Sequence, residues 1–244
     1  MKQYEAVIKI MEKNGGFATL GFLNQEVLKI KECEWKTKTP FASVRRIVQD
    51  GRFFFRIRPG LWALKSYRNK LSEEIFPSKK QPVKKQEEYN HTYYQGLLVE
   101  IGNLRRYQTY VPNQDKNKLF LGRKLNEITS MSDIHKFTYD HIIKRAKTID
   151  VSWFNTRNMP TNLFEIEHST DIQNSLLKFV DLQDFYTGFF VVAHSIRAKD
   201  YTTKLSFVAF DGIRDRTKFL SYEQLSEWHT RTYQIITIEN SIGV

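Results

Sequence analysis

The chain has little cysteine and no long apolar run, and both features narrow its class. Cys33 is the only cysteine among 244 residues, so neither a disulfide framework nor a cysteine-based zinc site is expected. Every apolar stretch falls short of the roughly 18 residues that a transmembrane helix needs. The N-terminal sequence MKQYEAVIKIMEK interleaves charges with apolar residues, unlike a signal peptide. We therefore expect a globular cytoplasmic protein with no membrane partner.

Positive charge is concentrated near the N-terminus. The net charge of the chain is +11. Residues 1–68 contain 14 Lys and Arg against 6 Asp and Glu, residues 69–91 contain 5 against 4, and the remainder contains 19 against 17. A localised basic surface is typical of a nucleic-acid-binding domain, although an anionic membrane or an acidic protein could also bind it.

Residues 1–68 have the pattern of three helices followed by a β-hairpin. Apolar spacing predicts helices over 4–13, 20–30 and 40–49, and alternation predicts strands over 52–58 and 61–65. This order predicts a winged helix-turn-helix domain. The Thr39-Pro40 helix start and the sequence PGLWAL at 59–64 resemble the HARE-HTH family, which is found in restriction enzymes among other DNA-associated proteins. The resemblance covers residues 2–66.

In a winged helix-turn-helix, the third helix enters the major groove and the wing contacts the backbone or the minor groove. Residues in or beside these two elements are therefore predicted to face double-stranded DNA. They are Lys36, Lys38, Ser43, Arg45, Arg46, Arg52, Arg56 and Arg58. The alternative is a solvated basic face on a domain that docks against protein.

A second domain is predicted after a linker. Residues 69–91 are rich in Lys, Glu, Gln, Ser and Pro, which is typical of a linker. In residues 92–244, helical and strand patterns alternate in an order that predicts a central mixed sheet flanked by helices. The predicted fold class of the whole chain is therefore α+β.

Three carboxylates come together in the predicted hairpin of this second domain. Asp150 begins the first strand, and Glu165 and Glu167 lie in the second. Because alternate strand residues share a face, Glu165 and Glu167 point the same way while Phe164 and Ile166 pack on the other face. Clustered carboxylates repel one another, and Mg²⁺, which takes hard oxygen ligands, would resolve that conflict. The alternative is that both glutamates form the solvated face of an amphipathic hairpin.

The order Asp150, loop and Glu165-Ile166-Glu167, in the phrase FEIEHS before a helix, resembles the PD-(D/E)XK nuclease superfamily. Glu167 stands where a lysine is usual, and a minority of type II restriction enzymes carry this Glu-x-Glu form. The resemblance implies an α/β restriction-endonuclease-like domain. It also implies that Asp150 and Glu165 bind Mg²⁺ and that Glu167 positions or deprotonates the attacking water.

The metal-binding prediction extends to one further residue. Glu100 lies on the apolar face of a helix predicted to start near His91, where some families of the superfamily carry a glutamate that joins the metal cluster. The alternative is a boundary residue that pairs with Arg105. Lys144, Lys147 and Lys178 are candidates for the positive charge that the motif lacks. His168 is predicted to be structural because it should point away from Glu167.

The function implied by the resemblance is that of a type II restriction endonuclease. It would cleave double-stranded DNA with one or two Mg²⁺ ions, as a homodimer, and sensitivity to or dependence on base modification is left open. A winged-helix DNA-binding regulator with a non-catalytic C-terminal domain is the alternative, and RNA cleavage is a third. The carboxylate cluster favours the nuclease, because a regulator has no use for acids that repel DNA.

Overall fold

The computed structural model describes residues 1–78 and 80–243. Lys79, in the predicted linker, and Val244, at the end of the predicted second domain, lie outside the described residues. The chain divides into two compact units, Met1–Lys80 with Ser226–Val244, and Gln81–Leu225. Within the described residues, no helix combines the length and the apolarity that crossing a membrane would require.

The first unit contains the helices and the hairpin expected for its N-terminal part. The elements are α1 (Gln3–Lys13), β1 (Phe17–Thr19), α2 (Leu20–Glu26), α3 (Pro40–Val48), β2 (Phe54–Arg58) and β3 (Leu61–Leu64). The strands form an antiparallel sheet in the order β1-β3-β2. Strand β1 escaped prediction because three residues are too few to show an alternating pattern.

Helix α1 illustrates how apolar spacing builds the core of this unit. Ala6, Val7, Ile10 and Met11 are buried because residues three and four apart share one helix face. The chain then turns through Gly16, whose φ of +90° favours glycine and where a side chain would collide with the Tyr67 ring. This turn leads α1 directly into β1.

The second unit is built around one sheet. Its elements are α4 (Val83–Leu104), β4 (Gln108–Tyr110), β5 (Leu119–Phe120), β6 (Arg123–Lys124), α5 (Leu125–Ile128), α6 (Asp140–Ala146), β7 (Val151–Phe154), β8 (Pro160–Glu167), α7 (Ile172–Val180), β9 (Gly188–Ala193), α8 (Ala198–Leu205) and β10 (Thr217–Ser221). The final helix, α9 (Tyr222–Ile242), begins in this unit and continues beyond its boundary.

The sheet of the second unit is mixed, as predicted. Its five strands have the order β10-β9-β8-β7-β4. The pairs of β9 with β10 and with β8 are parallel, whereas the pairs of β7 with β8 and with β4 are antiparallel. Strand β8 is therefore central, and it runs parallel to β9 and antiparallel to β7. The α+β fold class with a central mixed sheet is confirmed.

Two helices are longer than predicted. Helix α4 begins at Val83, not near His91, because Pro82 precedes a run of Lys, Gln and Glu that favours helix as much as it favours a solvated linker. Residues 83–91 of the predicted linker are therefore helical. The sequence pattern predicts a final helix over residues 222–230, and α9 extends beyond it to Ile242.

Candidate metal and catalytic site

The hairpin of β7 and β8 places Asp150 beside Glu165. The two strands pair antiparallel with Val151 opposite Phe164. The Ile166 N–H donates to Asp150 Oδ2 at 2.8 Å, and the Asp150 N–H donates to Glu165 Oε1 at 3.3 Å. The backbone of each strand thus fixes a carboxylate of the other.

Both glutamates of β8 are buried. Glu165 is 2% exposed and Glu167 is 5% exposed, so they do not form the solvated face that was the alternative interpretation. Phe164 lies on the opposite side of the strand, where it stacks with Phe190 and contacts Trp153. Because alternate residues of this strand share a face, both acid side chains point into the interior of the second unit.

Helix α7 supplies the polar partners of these acids. Asp171 begins the helix and accepts the Gln173 N–H, a local cap that fixes where the first turn starts. Ser175 Oγ lies 3.2 Å from Glu165 Oε2 and also contacts Glu167 Oε1. Thr170, before the helix, contacts Glu167 Oε2.

Of the three lysines considered from sequence, Lys178 reaches the acids. Its Nζ donates to Glu165 Oε2 at 2.7 Å and to the Thr148 carbonyl at 3.1 Å. Lys144 is exposed, and Lys147 pairs with Asp133. The spacing of Ser175 and Lys178 on one face of α7 places both groups over β8.

The acids open into a cavity of about 600 Å³. Its lining includes Asp150, Glu165, Glu167, Lys178, His91 and His168. The prediction that His168 points away was wrong, because β8 ends at Glu167 and alternation no longer sets its direction. Its Nδ1 lies 2.6 Å from the Tyr222 hydroxyl.

Burial dominates the protonation of this cluster. It raises the pKa of Asp150 to about 6 and that of Glu167 to about 7. Burial, with the nearby Asp150 carboxylate, also raises the pKa of Glu165 well above its ordinary value. For Lys178, burial opposes the charge, but the combined attraction of Glu165, Asp150 and Glu167 outweighs burial and raises the pKa. Lys178 thus stays charged beside acids that resist ionisation.

Three residues around Asp150 were not anticipated from the sequence. His91 lines the cavity, and its Nε2 lies 3.3 Å from Asp150 Oδ2. Gln95, four residues further along α4, donates through Nε2 to Asp115 Oδ2 at 2.8 Å and to the Asp150 carbonyl at 3.0 Å. The i, i+4 spacing of His91 and Gln95 was a usable signal, whereas Asp115 lies in a loop without any periodic pattern.

Glu100 does not line the cavity. It follows His91 by nine residues on α4, which separates them by about 13 Å along the helix axis. The structure therefore brings together Asp150, Glu165 and Glu167 but not Glu100. The residue of α4 that lies beside Asp150 is His91.

The predicted DNA-contact residues lie in the first unit, and most of them are exposed. Lys36, Lys38, Arg45, Arg46, Arg52 and Arg56 are exposed, and Ser43 is half-buried. Three of the cations pair with acids, namely Lys36 with Glu34, Arg45 with Glu227 and Arg52 with Asp50. Arg231 of α9 contacts the same Glu227 at 2.8 Å.

Arg58 departs from this set. It is 8% exposed and donates to the Glu74 carbonyl at 2.9 Å, so the prediction that its side chain faces DNA was wrong. The pairing of β2 with β3 shifts register between Arg56 and Arg58. The prediction took every basic residue in or beside the wing, and such a bulge changes the direction of side chains along a strand.

A sheet hairpin that buries clustered carboxylates beside a cavity is an arrangement that metal-dependent phosphodiester hydrolases can use. Residues 74–241 match the model of a family described as the C-terminal domain of the type II restriction enzyme NmeDI. The chain belongs to that family, which makes it a restriction endonuclease acting on DNA. Comparisons with curated proteins and with solved structures found no match.

Proposed function

We propose that this chain is a Mg²⁺-dependent type II endonuclease of the PD-(D/E)XK kind in its Glu-x-Glu form. The observation that carries the proposal is that the half-buried Asp150 and the buried Glu165 and Glu167 meet at one cavity in a chain of the restriction-enzyme family. Buried carboxylates at this density are costly unless a cation offsets their charge. The oxygen donors fit Mg²⁺, which prefers hard ligands.

Asp150 and Glu165 would hold the metal. When bound, Mg²⁺ supplies a Lewis acid for the phosphate and lowers the pKa of a water molecule. Glu165 is oriented for this role by the Asp150 N–H on Oε1 and by Lys178 on Oε2. Lys178 thereby contributes the positive charge that position 167 lacks.

Glu167 is proposed to receive the proton of the attacking water. Burial raises its pKa to about 7, close to the value at which a general base is effective at neutral pH. Ser175 and Thr170 each contact one of its oxygens, so the carboxylate is held in place on the same strand face as Glu165. Glu167 would accept the proton, and Asp150 would remain free to hold the metal.

The first unit is proposed to bind the double helix through a HARE-HTH-like winged helix. The element order in residues 3–64 and the exposed Lys38, Arg46 and Arg56 support this role. Cutting both strands would then use a homodimer, which places one cavity at each strand.

Plasmid digestion tests the proposal. Supercoiled plasmid, methylated or unmethylated, is incubated with the protein in Mg²⁺ or in EDTA. We expect linear product in Mg²⁺ from at least one plasmid and none in EDTA. Equal cleavage in EDTA would refute the metal dependence, and light scattering of the protein with and without DNA tests the dimer.

A further inference from the structure

The cavity edge carries a second group of ligand atoms beside the proposed magnesium position. His91, Asp115 and Asp150 each offer one ligand atom, and these atoms all lie within 4.8 Å of one another. Two ligands of one ion lie up to roughly 4.2 Å apart when each bond is near 2.1 Å. Closing the group onto an ion therefore needs only small side-chain movements.

Two buried polar atoms lack hydrogen bonds here, one in this group and one in the neighbouring Gln95. Gln95 is fully buried, and although its Nε2 binds Asp115 and the Asp150 carbonyl, its Oε1 has no hydrogen-bond partner among the described residues. His91 Nε2 is also buried without a hydrogen bond, although it lies 3.3 Å from Asp150 Oδ2. Buried polar atoms normally find a partner, so two orphans at one place indicate a missing ligand.

The scaffold also holds the loop that contains Asp115. Gly96 follows Gln95 on α4, and a side chain there would collide with the Phe120 ring. The absence of a side chain lets β5 approach α4 closely. Asp115, in the loop before β5, is 2% exposed and accepts a hydrogen bond from Gln95, a contact of the kind that orients metal-binding carboxylates.

We propose that His91, Asp115 and Asp150 form a second divalent cation site that shares Asp150 with the magnesium site. An imidazole nitrogen beside two carboxylates favours a first-row transition metal such as Mn²⁺ over Mg²⁺. The inference rests on the proposed function only through the shared Asp150, and metal binding can be measured without DNA cleavage.

Lys118 provides the competing explanation. Its Nζ lies 2.7 Å from Asp115 Oδ1 and offsets the charge of that carboxylate. Each carboxylate oxygen can accept more than one bond, so Lys118 and a metal ion can share Asp115. If Lys118 alone offsets the charge of Asp115 and no second metal ion binds, removal of His91 will not change metal binding.

The experiment uses full-length protein titrated with Mn²⁺ and followed by electron paramagnetic resonance. Pulsed spectra should show ¹⁴N coupling from an imidazole ligand, and His91→Ala should abolish that coupling and lower the bound Mn²⁺ by one ion per chain. The exposed His141→Ala is the matched control, and His168→Ala tests the other cavity histidine. Circular dichroism checks that each variant is folded.

Two carboxylate variants separate this inference from the proposed function. Asp115→Asn should weaken the ¹⁴N-coupled site even if His91→Ala fails to fold. Glu165→Gln should remove the magnesium position and leave the ¹⁴N coupling intact. Absence of ¹⁴N coupling in the parent protein, or its persistence in His91→Ala, would overturn the second site.

Discussion

The cations of the first unit and the acids of the second are both charged clusters, yet they differ in exposure. Arg45 and Arg46 lie at the surface, where water keeps a charge inexpensive. Glu165 and Glu167 are buried, and burial makes the charged form costly. The exposed charges can therefore be rearranged with small effects, whereas each buried acid depends on specific partners. Substitutions of the buried acids should therefore have larger effects than substitutions of the exposed cations.

The largest effect is expected at Glu165. Glu165→Gln keeps the shape of the side chain but removes the negative charge proposed to hold the metal, so single-turnover cleavage should fall on the order of 10³-fold. DNA affinity in a mobility-shift assay should stay near the parent value. Glu100→Gln is the control, because Glu100 lies outside the cavity. Parent-like cleavage by Glu165→Gln would remove this residue from the site.

A smaller loss is expected at Lys178. Lys178→Met removes the Nζ that contacts Glu165 Oε2 and should lower the single-turnover rate by roughly 10²-fold, as for the loss of one positioned electrostatic group. Lys144→Met makes the same change at an exposed position and should cleave like the parent. Equal rates for the two variants would show that Lys178 serves packing alone.

In the first unit, removing an acid should strengthen DNA binding. Glu227 contacts both Arg45 and Arg231, so Glu227→Gln releases two cations. We expect affinity at low salt to rise by roughly threefold, with a steeper salt dependence. Glu239→Gln changes the same charge on the same helix and serves as the control. If both variants bind equally, the gain reflects net charge and not the release of Arg45.

The last effect concerns the dependence of stability on pH. The pKa values of Asp150 and Glu167 are raised to about 6 and 7 in the folded protein, above their unfolded values near 4. Between about pH 4 and 7 the folded state therefore holds more protons, and the free energy of unfolding falls as pH rises. In EDTA, the Tm should drop on the order of 10 °C across this window.

Glu167→Gln isolates this pH effect from other titrating groups. The variant cannot ionise at position 167, so its Tm in EDTA should fall less than that of the parent across the same window. Identical pH profiles for the two proteins would show that Glu167 is not the group responsible.

Local sequence patterns predicted much of the fold. The hairpin of β7 and β8 followed from strand alternation, and α3 from its proline start. The start of α4 was missed because Lys, Gln and Glu suit a helix and a linker alike. Arg58 was misplaced because it was chosen for its position in the wing, and the bulge beside it leaves no clear sequence signal.

The candidate site was predictable only where one element carries it. Glu165 and Glu167 share a strand, so their common direction could be deduced from spacing. Lys178 reaches the cavity, and Asp115 reaches Gln95, through tertiary packing of a helix and a loop, which a single sequence does not specify. Glu100 was chosen for its position on an apolar helix face, yet His91, two and a half turns earlier, is the residue that reaches Asp150.

The central place of β8 limits how this protein can change during evolution. Its two neighbours pair with it in opposite directions, and a slip of one residue would send both glutamates to the other face. Insertions and deletions inside Pro160–Glu167 would thus exchange the acids for Phe164 and Ile166. Point replacements at position 167 preserve the register. The residue at that position can therefore change during evolution, whereas the length of the strand cannot.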